Sequence, residues 1–106
     1  MSESKLTVDA GVCRFRTNVH AVGSDDYMSI SLKITSECPN VRKLAAVLKT
    51  VDTTDVISSP LLSNCVMIAC NEHIPHPACP VPCAIVKACE VASDAALKKT
   101  VTITFE

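Results

Sequence analysis

The sequence predicts an α+β fold, a two-layer sandwich in which an antiparallel sheet of about four strands carries helices on one face. Three observations predict this architecture. The first third of the chain alternates apolar and polar residues, which is the period of a strand. Three later segments repeat apolar residues at helical spacing, and the last six residues alternate again. The predicted order of elements is therefore β-β-β-α-α-α-β, in a single domain spanning residues 1–106.

Alternation defines the first three strands and the turns between them. The first strand follows residues 6–12, with Gly11 marking a bend into the second strand over residues 15–21. A turn at residues 23–26 leads into the third strand, which covers residues 28–35 and has the clearest alternation in the chain. The apolar residues expected on the buried face are Leu6, Val8, Ala10, Val12, Phe15, Val19, Ala21, Met28, Ile30, Leu32 and Ile34.

The turn also predicts the register of the hairpin formed by the second and third strands. With the turn at residues 23–26, the numbers of facing residues add up to about 49 or 51. Cys13 then lies opposite Ser36 or Cys38, and cross-strand neighbours have Cβ atoms roughly 4.5–8 Å apart. The two thiols are expected at the open end of the hairpin, pointing toward the helix layer.

The first and third helices each open with a cysteine followed by proline, the residue favoured at the first helical position. The first opens at Cys38, and its apolar stripe extends to Val51, after which residues 52–55, beginning with Asp52, are expected to break the helix. The third opens at Cys79, and the lysines at 98–99 close it at the negative pole of the helix dipole. The expected buried face of the third helix consists of Val81, Ala84, Ile85, Ala88, Ala92 and Ala95.

The second helix is predicted to begin with Ser59 as its N-cap and Pro60 as its first residue, and to end near Asn71. A short buried strand over residues 65–70 is the alternative. The final strand follows the third helix over residues 101–105. The apolar stripe of the second helix consists of Leu61, Leu62, Cys65, Val66 and Ala69.

Composition excludes several classes of function. Hydrophobic residues make up 48% of the 106 residues, which is typical of a folded domain. Ten Lys and Arg against eleven Asp and Glu, with three aromatic residues, do not favour a nucleic-acid partner. No apolar run approaches the roughly 20 residues of a membrane span. The sequence leaves open whether the chain binds a protein partner or a second copy of itself.

Seven cysteines are the unusual feature of the composition. Their odd number, with only two glycines, does not match a secreted disulfide framework, so we expect a reducing cytoplasm. Cys65 and Cys89 fall in or beside apolar stripes and are predicted to fill space in the core, while Cys70 lies at the edge of a stripe and is undecided. Packing does not account for the remaining four, which are Cys13, Cys38, Cys79 and Cys83. Helical spacing places Cys83 on the polar face of the third helix.

These four cysteines predict a metal site. Cys38 and Cys79 each lie at a helix N-terminus, where free amide groups favour a thiolate. Four thiolates are the ligand set of a zinc site or an iron–sulfur cluster, and the spacing does not decide between them. A mixed site of Cys70, His73, His76 and Cys79, with Cys83 close by in the sequence, is the alternative.

Two other functions remain open. A thiol-based sulfur carrier or redox protein would use Cys79 as its reactive thiol and Cys83 as a resolving thiol. A structural or interaction module would bind no metal and would use its cysteines for packing. The residues do not decide whether the protein is an enzyme, although two glycines cannot form a phosphate-binding loop.

Three segments resemble a small family of uncharacterised proteins from anaerobic bacteria and archaea, a domain of unknown function. The segments are Val8–Phe15, Cys38–Leu44 and Pro77–Ile85, and the resemblance covers nearly the whole chain. They contain the four cysteines that packing leaves over. Because this family has no established activity, the resemblance favours a site at these cysteines without naming a reaction.

A narrower resemblance concerns the third helix. Cys79-Pro80-Val81-Pro82, opening an apolar helix, is similar to the CPxP motif of TusA-like sulfur carriers. The resemblance implies a persulfide carried on Cys79 and a helix-on-sheet sandwich. In TusA-like chains the motif follows the first strand, whereas here it precedes the last predicted one, and Cys83 has no counterpart in the motif.

Overall fold

The computed structural model describes residues 2–106 and contains the predicted antiparallel sheet, with strands in the order β1-β2-β3-β4. Helices pack on the sheet, so the α+β class is confirmed. The fourth strand, however, lies between the first two helices and not at the C-terminus. The elements are β1 (Glu3–Asp9), β2 (Arg16–Gly23), β3 (Ser29–Ser36), α1 (Pro39–Val47), β4 (Thr50–Asp52), α2 (Thr53–Ser58), α3 (Cys65–His73) and α4 (Val81–Ala92), with short 3₁₀ turns at Gly11–Cys13 and Leu61–Ser63.

The core lies between the sheet and the helices and is built from aliphatic side chains, as expected of a chain without Trp. Helix α4 packs across β1 and β2, and α1 packs on β3. The opposite face of the sheet is polar: Lys5, Asn18 and Lys33 are exposed there. The side chains that are fully buried include Val19, Ile30, Val41, Leu44, Val56, Val66, Val81, Ile85 and Cys89.

The register of the β2–β3 hairpin differs from the prediction. Val19 faces Ile34, so the numbers of facing residues add up to 53 and not to 49 or 51. The connecting loop is longer because the Asp26 carboxylate accepts hydrogen bonds from the Ser24 hydroxyl (2.6 Å) and the Met28 amide (3.0 Å). The observed and predicted sums differ by an even number of residues. Within β2 and β3 the residues that face the helices were therefore predicted correctly, although their cross-strand partners were not.

Three ends of the predicted strands do not belong to the sheet. β1 ends at Asp9, and Val12 projects fully into solvent from the 3₁₀ turn. Phe15 precedes β2 and Met28 precedes β3, and both side chains are exposed. In each case the apolar–polar alternation continues into a turn. Turn geometry depends on backbone hydrogen bonds and not on hydrophobic pattern, so the alternation does not show where the strand ends.

Helix α1 ends at Val47, four residues before the predicted end at Val51. The chain leaves the helix because it completes the sheet: the Leu32 amide donates to the carbonyl of Lys49 (2.8 Å), and Val51 pairs with Ile30 in β4. The next residues also differ from the prediction. Asp52, which was expected to break a helix, starts α2 by accepting a hydrogen bond from the amide of Asp55 (3.0 Å).

The predicted start of the second long helix is wrong. Ser59 ends α2, and Leu62 is 91% exposed in a 3₁₀ turn where a buried stripe was expected. The helix begins instead at Cys65, because the side chain of Asn64 accepts a hydrogen bond from the amide of Val66 (3.0 Å). The ambiguous segment, residues 65–70, is therefore helical and not a strand.

The predicted C-terminal strand does not form in the structure. Helix α4 ends at Ala92, so Ala95 and the lysines at 98–99 lie beyond it. Residues 101–105 belong to no helix or strand, and their apolar side chains are exposed. Alternation alone does not make a strand, since a strand requires a neighbour with which to exchange backbone hydrogen bonds.

Gly23 sets the distance between the end of β2 and the end of α4. A Cβ at this position would lie 2.5 Å from the carbonyl oxygen of Ala92, a backbone atom that cannot swing aside. We therefore expect Gly23→Ala to lower the free energy of unfolding by about 1–3 kcal/mol, the cost of overpacking. Urea denaturation measures the change, with Gly11→Ala as a comparison. At Gly11 the space is open and φ is +79°, so backbone strain acts there without a clash.

Candidate functional site

Three cysteines from separate segments converge near one end of the sheet. Cys13 closes the 3₁₀ turn after β1, Cys38 immediately precedes α1, and Cys79 lies two residues before α4. The charges of Cys38 and Cys13 both raise the pKa of Cys79, so each of these two residues lies near enough to Cys79 to act on its thiol. The sequence grouped Cys13 with Cys38 through a hairpin register that was wrong, and it added Cys79 because packing did not account for that residue. Their approach instead depends on the turn geometry described next.

The position of Cys38 is fixed by hydrogen bonds at the open end of the hairpin. Its amide donates to the hydroxyl oxygen of Ser36 (3.0 Å), which also lies 2.7 Å from the hydroxyl oxygen of Thr17. The guanidinium Nε of Arg42 donates to the carbonyl of Ser36 (2.8 Å). Pro39 is the first residue of α1, and Cys38 is its extended N-cap. The thiol is half-buried at a rigid corner.

Cys13 lies in a turn that requires two residues with positive φ. Gly11 has φ +79°, Arg14 has φ +61°, and the Arg14 amide donates to the carbonyl of Gly11 (2.9 Å). The Gly11 amide donates to the carboxylate of Asp9 (3.1 Å), which starts the turn. The turn holds Cys13 at the surface, where its side chain is exposed.

Cys79 is the half-buried centre of the cluster. Its amide donates to the carbonyl of His76 (3.2 Å), which turns the proline-rich connector into α4. Burial is the main cause that raises the pKa of its thiol, and a hydrogen bond from the Val81 amide opposes the increase in part. Reactive thiols commonly have lowered pKa values, and the pKa of Cys79 is shifted in the opposite direction.

Cys70 is a fourth thiol close to Cys79, which sequence periodicity left undecided. It is buried in the last turns of α3. Burial raises the pKa of Cys70 to about 12, and the charge of Cys79 adds to the increase. Cys83, by contrast, is exposed on the first turn of α4, in agreement with its predicted position on the polar face. The sequence singled out Cys70 only through its spacing from His73, His76 and Cys79 in the alternative mixed set.

The other two cysteines form a separate pair inside the helix layer. Cys89 is fully buried, which confirms its predicted place in the core, and burial raises its pKa to about 12. Cys65 is half-buried, and burial together with a hydrogen bond to Asp55 raises its pKa to about 11. Protonated thiols of this kind serve packing, not nucleophilic chemistry.

Neither predicted ligand set is assembled in the structure. Across residues 2–106, no group of three or more His, Cys, Asp or Glu side chains lies close enough to hold a metal ion. In the alternative mixed set, His73 is half-buried at the end of α3 and His76 is exposed in the connector. The third histidine, His20, belongs to neither set and pairs with Glu3 on the polar face of the sheet (2.6 Å).

The structure thus defines a small α+β protein in which free cysteines gather beside the open end of an antiparallel sheet. All seven cysteines lack a disulfide bond. A family model matches residues 4–105, and the chain belongs to that family of unknown function, DUF6951. This agrees with the resemblance to an uncharacterised family noted above.

Other comparisons add no functional information. No curated protein matches the chain, and no solved structure matches it. In the part of the chain that the structure describes, no helix has the length and apolar character needed to cross a membrane.

Proposed function

We propose that the protein holds a thiolate-ligated metal centre, zinc or an iron–sulfur cluster, at the open end of the sheet. Cys13, Cys38 and Cys79 supply three ligands, and Cys83 supplies the fourth. The observation that carries the proposal is that two free thiols, Cys13 and Cys38, come from segments distant in sequence and both act on the half-buried Cys79. Packing does not account for Cys13 and Cys83, because both side chains are exposed, whereas Cys38 and Cys79 also pack against the core.

The donor set suits a soft metal. Thiolate ligands favour zinc or iron–sulfur centres over magnesium or calcium. A bound zinc ion would support the fold, whereas a cluster would supply electron transfer or sensing. The amides of Cys38 and Cys79 donate hydrogen bonds that hold these two residues in place. The exposed turn that carries Cys13 and the first turn of α4, which carries Cys83, must move toward the metal for it to bind. Free thiols of this kind need a reducing compartment such as the cytoplasm.

The identity of the fourth ligand distinguishes two forms of the site. Cys83 lies one helical turn after Cys79 on the exposed side of α4, so it can reach the metal from solvent. Cys70 is near enough to Cys79 for the charge of Cys79 to raise its pKa, but its side chain is buried in the core. We expect Cys83→Ser to weaken metal binding and Cys70→Ser to act mainly on stability, because it places a hydroxyl in an apolar environment.

Metal analysis of anaerobically purified protein tests the proposal. We expect about one zinc, or iron and sulfide with visible absorption, per chain, and loss of most of it in Cys79→Ser. Cys65→Ser is the matched control, because Cys65 is also half-buried at a helix start but lies in the other cysteine pair. Wild-type protein with well below one metal per chain would overturn the proposal, as would equal metal content in the two variants.

Zinc binding should also release protons, and its affinity should rise with pH. Burial raises the pKa of Cys79, so its thiol is protonated at neutral pH and must lose that proton to bind zinc. Affinity is then lost as pH falls, by about tenfold per pH unit for each proton released. Calorimetric titration in buffers of different ionisation enthalpy counts the protons. Zinc binding without proton release contradicts ligation by these thiols.

A further inference from the structure

The C-terminal segment, residues 97–106, has the pattern of a strand but no partner. Leu97, Ile103 and Phe105 are 89%, 83% and 97% exposed. Within the described chain, no residue after Ala95 makes a backbone hydrogen bond. Threonine occupies the alternate positions, so one side of the segment is apolar and the other polar. Exposed apolar side chains in this arrangement mark an interaction surface.

The free edge of β1 has the complementary pattern. Strand β1 pairs only with β2, so one side of Glu3–Asp9 keeps unpaired backbone groups among the described residues. Its inward residues Ser4 and Val8 are buried and Leu6 is half-buried, while the alternate residues are exposed. A strand added here with its apolar side inward would extend the core and continue the polar face.

The segment cannot add to its own β1 in the orientation that the sheet uses. Helix α4 ends beside the start of β1, where the Ser2 hydroxyl donates to the carboxylate of Asp94 (2.7 Å) and the charge of Lys98 reaches Glu3. From that point the segment would run parallel to β1, whereas all three ladders are antiparallel. An antiparallel approach would first need about 20 Å of chain, roughly six residues, to reach the far end of β1. Val101 would then lie in that connection and could not pair.

We propose that the C-terminal segment of one chain pairs antiparallel with β1 of a second copy, and that the exchange is reciprocal. A two-fold axis makes both contacts identical and closes the assembly as a dimer. Each sheet then gains a fifth strand, which places Val101, Ile103 and Phe105 against the flank of the core next to Leu6. The proposal does not depend on the metal centre, because the segment and the β1 edge contain none of the cysteines.

Sedimentation equilibrium of the full chain measures the predicted dimer. We expect wild-type protein to be dimeric and Ile103→Lys to weaken association by roughly tenfold or more, because it places a charge on the apolar side of the added strand. Thr102→Lys is the matched control: it adds the same charge at the next residue, on the polar side, and should stay dimeric. A monomeric wild-type protein at every concentration overturns the proposal, as does equal weakening by both variants.

Isotope-filtered NMR distinguishes exchange between copies from any other dimer. In a mixture of labelled and unlabelled wild-type chains, we expect contacts between the methyl groups of Val101 or Ile103 in one copy and Leu6 or Val8 in the other. If those contacts arise within one chain, or if the dimer forms without them, the proposal is wrong. Circular dichroism of each variant establishes that it is folded before its association is measured.

Discussion

Replacing Ile85 with alanine is expected to lower the free energy of unfolding by about 2–5 kcal/mol, the range for deleting a large buried aliphatic side chain. Ile85 is fully buried in α4. That helix packs against β1 and β2 on one side and against α2 and α3 on the other, so the cavity would lie where the two layers meet. Such a loss corresponds to a decrease in Tm of roughly 10 °C or more for a domain of this size. Thermal and urea denaturation both measure it.

Ile68→Ala is the matched control for this prediction. It makes the same chemical change in a helix, but Ile68 is 47% exposed on α3. Much of its side chain already contacts water, so we expect a loss well below that of Ile85→Ala, about 1 kcal/mol or less. Equal losses for the two variants would mean that α4 is not the centre of the core.

The core and the helix-facing side of the sheet could be predicted from sequence because burial determines hydrophobic pattern directly. Ile30, Leu32 and Ile34 are buried as predicted, and so are Val81 and Ile85. These positions follow from periods of 2 and 3.6 residues, whatever the exact register.

The turns and element boundaries could not be predicted in the same way, since they depend on single hydrogen bonds. Asp26 lengthens the β2–β3 loop, and Asp52 and Asn64 each start a helix through a side-chain cap. Many Asp, Asn and Ser residues in the sequence could serve as such caps, and local sequence does not show which of them is used. Val51 illustrates the consequence: it fits the helical period of α1 but is buried in β4.

The candidate site was predictable only where a local sequence pattern locates a cysteine on its element. Helical period separated Cys83 from the core side of α4, and the Cys-Pro pairs identified two helix starts. The approach of Cys70 to Cys79 depends on how α3 packs beside the connector before α4. That arrangement is tertiary, and no local pattern encodes it.

Replacing Asn64 with alanine is expected to cost about 2–4 kcal/mol of stability, because this buried side chain makes two hydrogen bonds that join α2 to α3. Its oxygen accepts from the amide of Val66 (3.0 Å), and its NH₂ group donates to the carbonyl of Val56 (2.8 Å). Loss of the cap costs about 0.5–2 kcal/mol, and a buried carbonyl left without its partner costs about 1–3 kcal/mol more. The exposed Asn71 on the same helix is the matched control, and Asn71→Ala should change stability by no more than about 0.5 kcal/mol. Urea denaturation compares the two variants. If Asn64→Ala were as mild as its control, water would have to replace both hydrogen bonds, and the junction between α2 and α3 would be open to solvent.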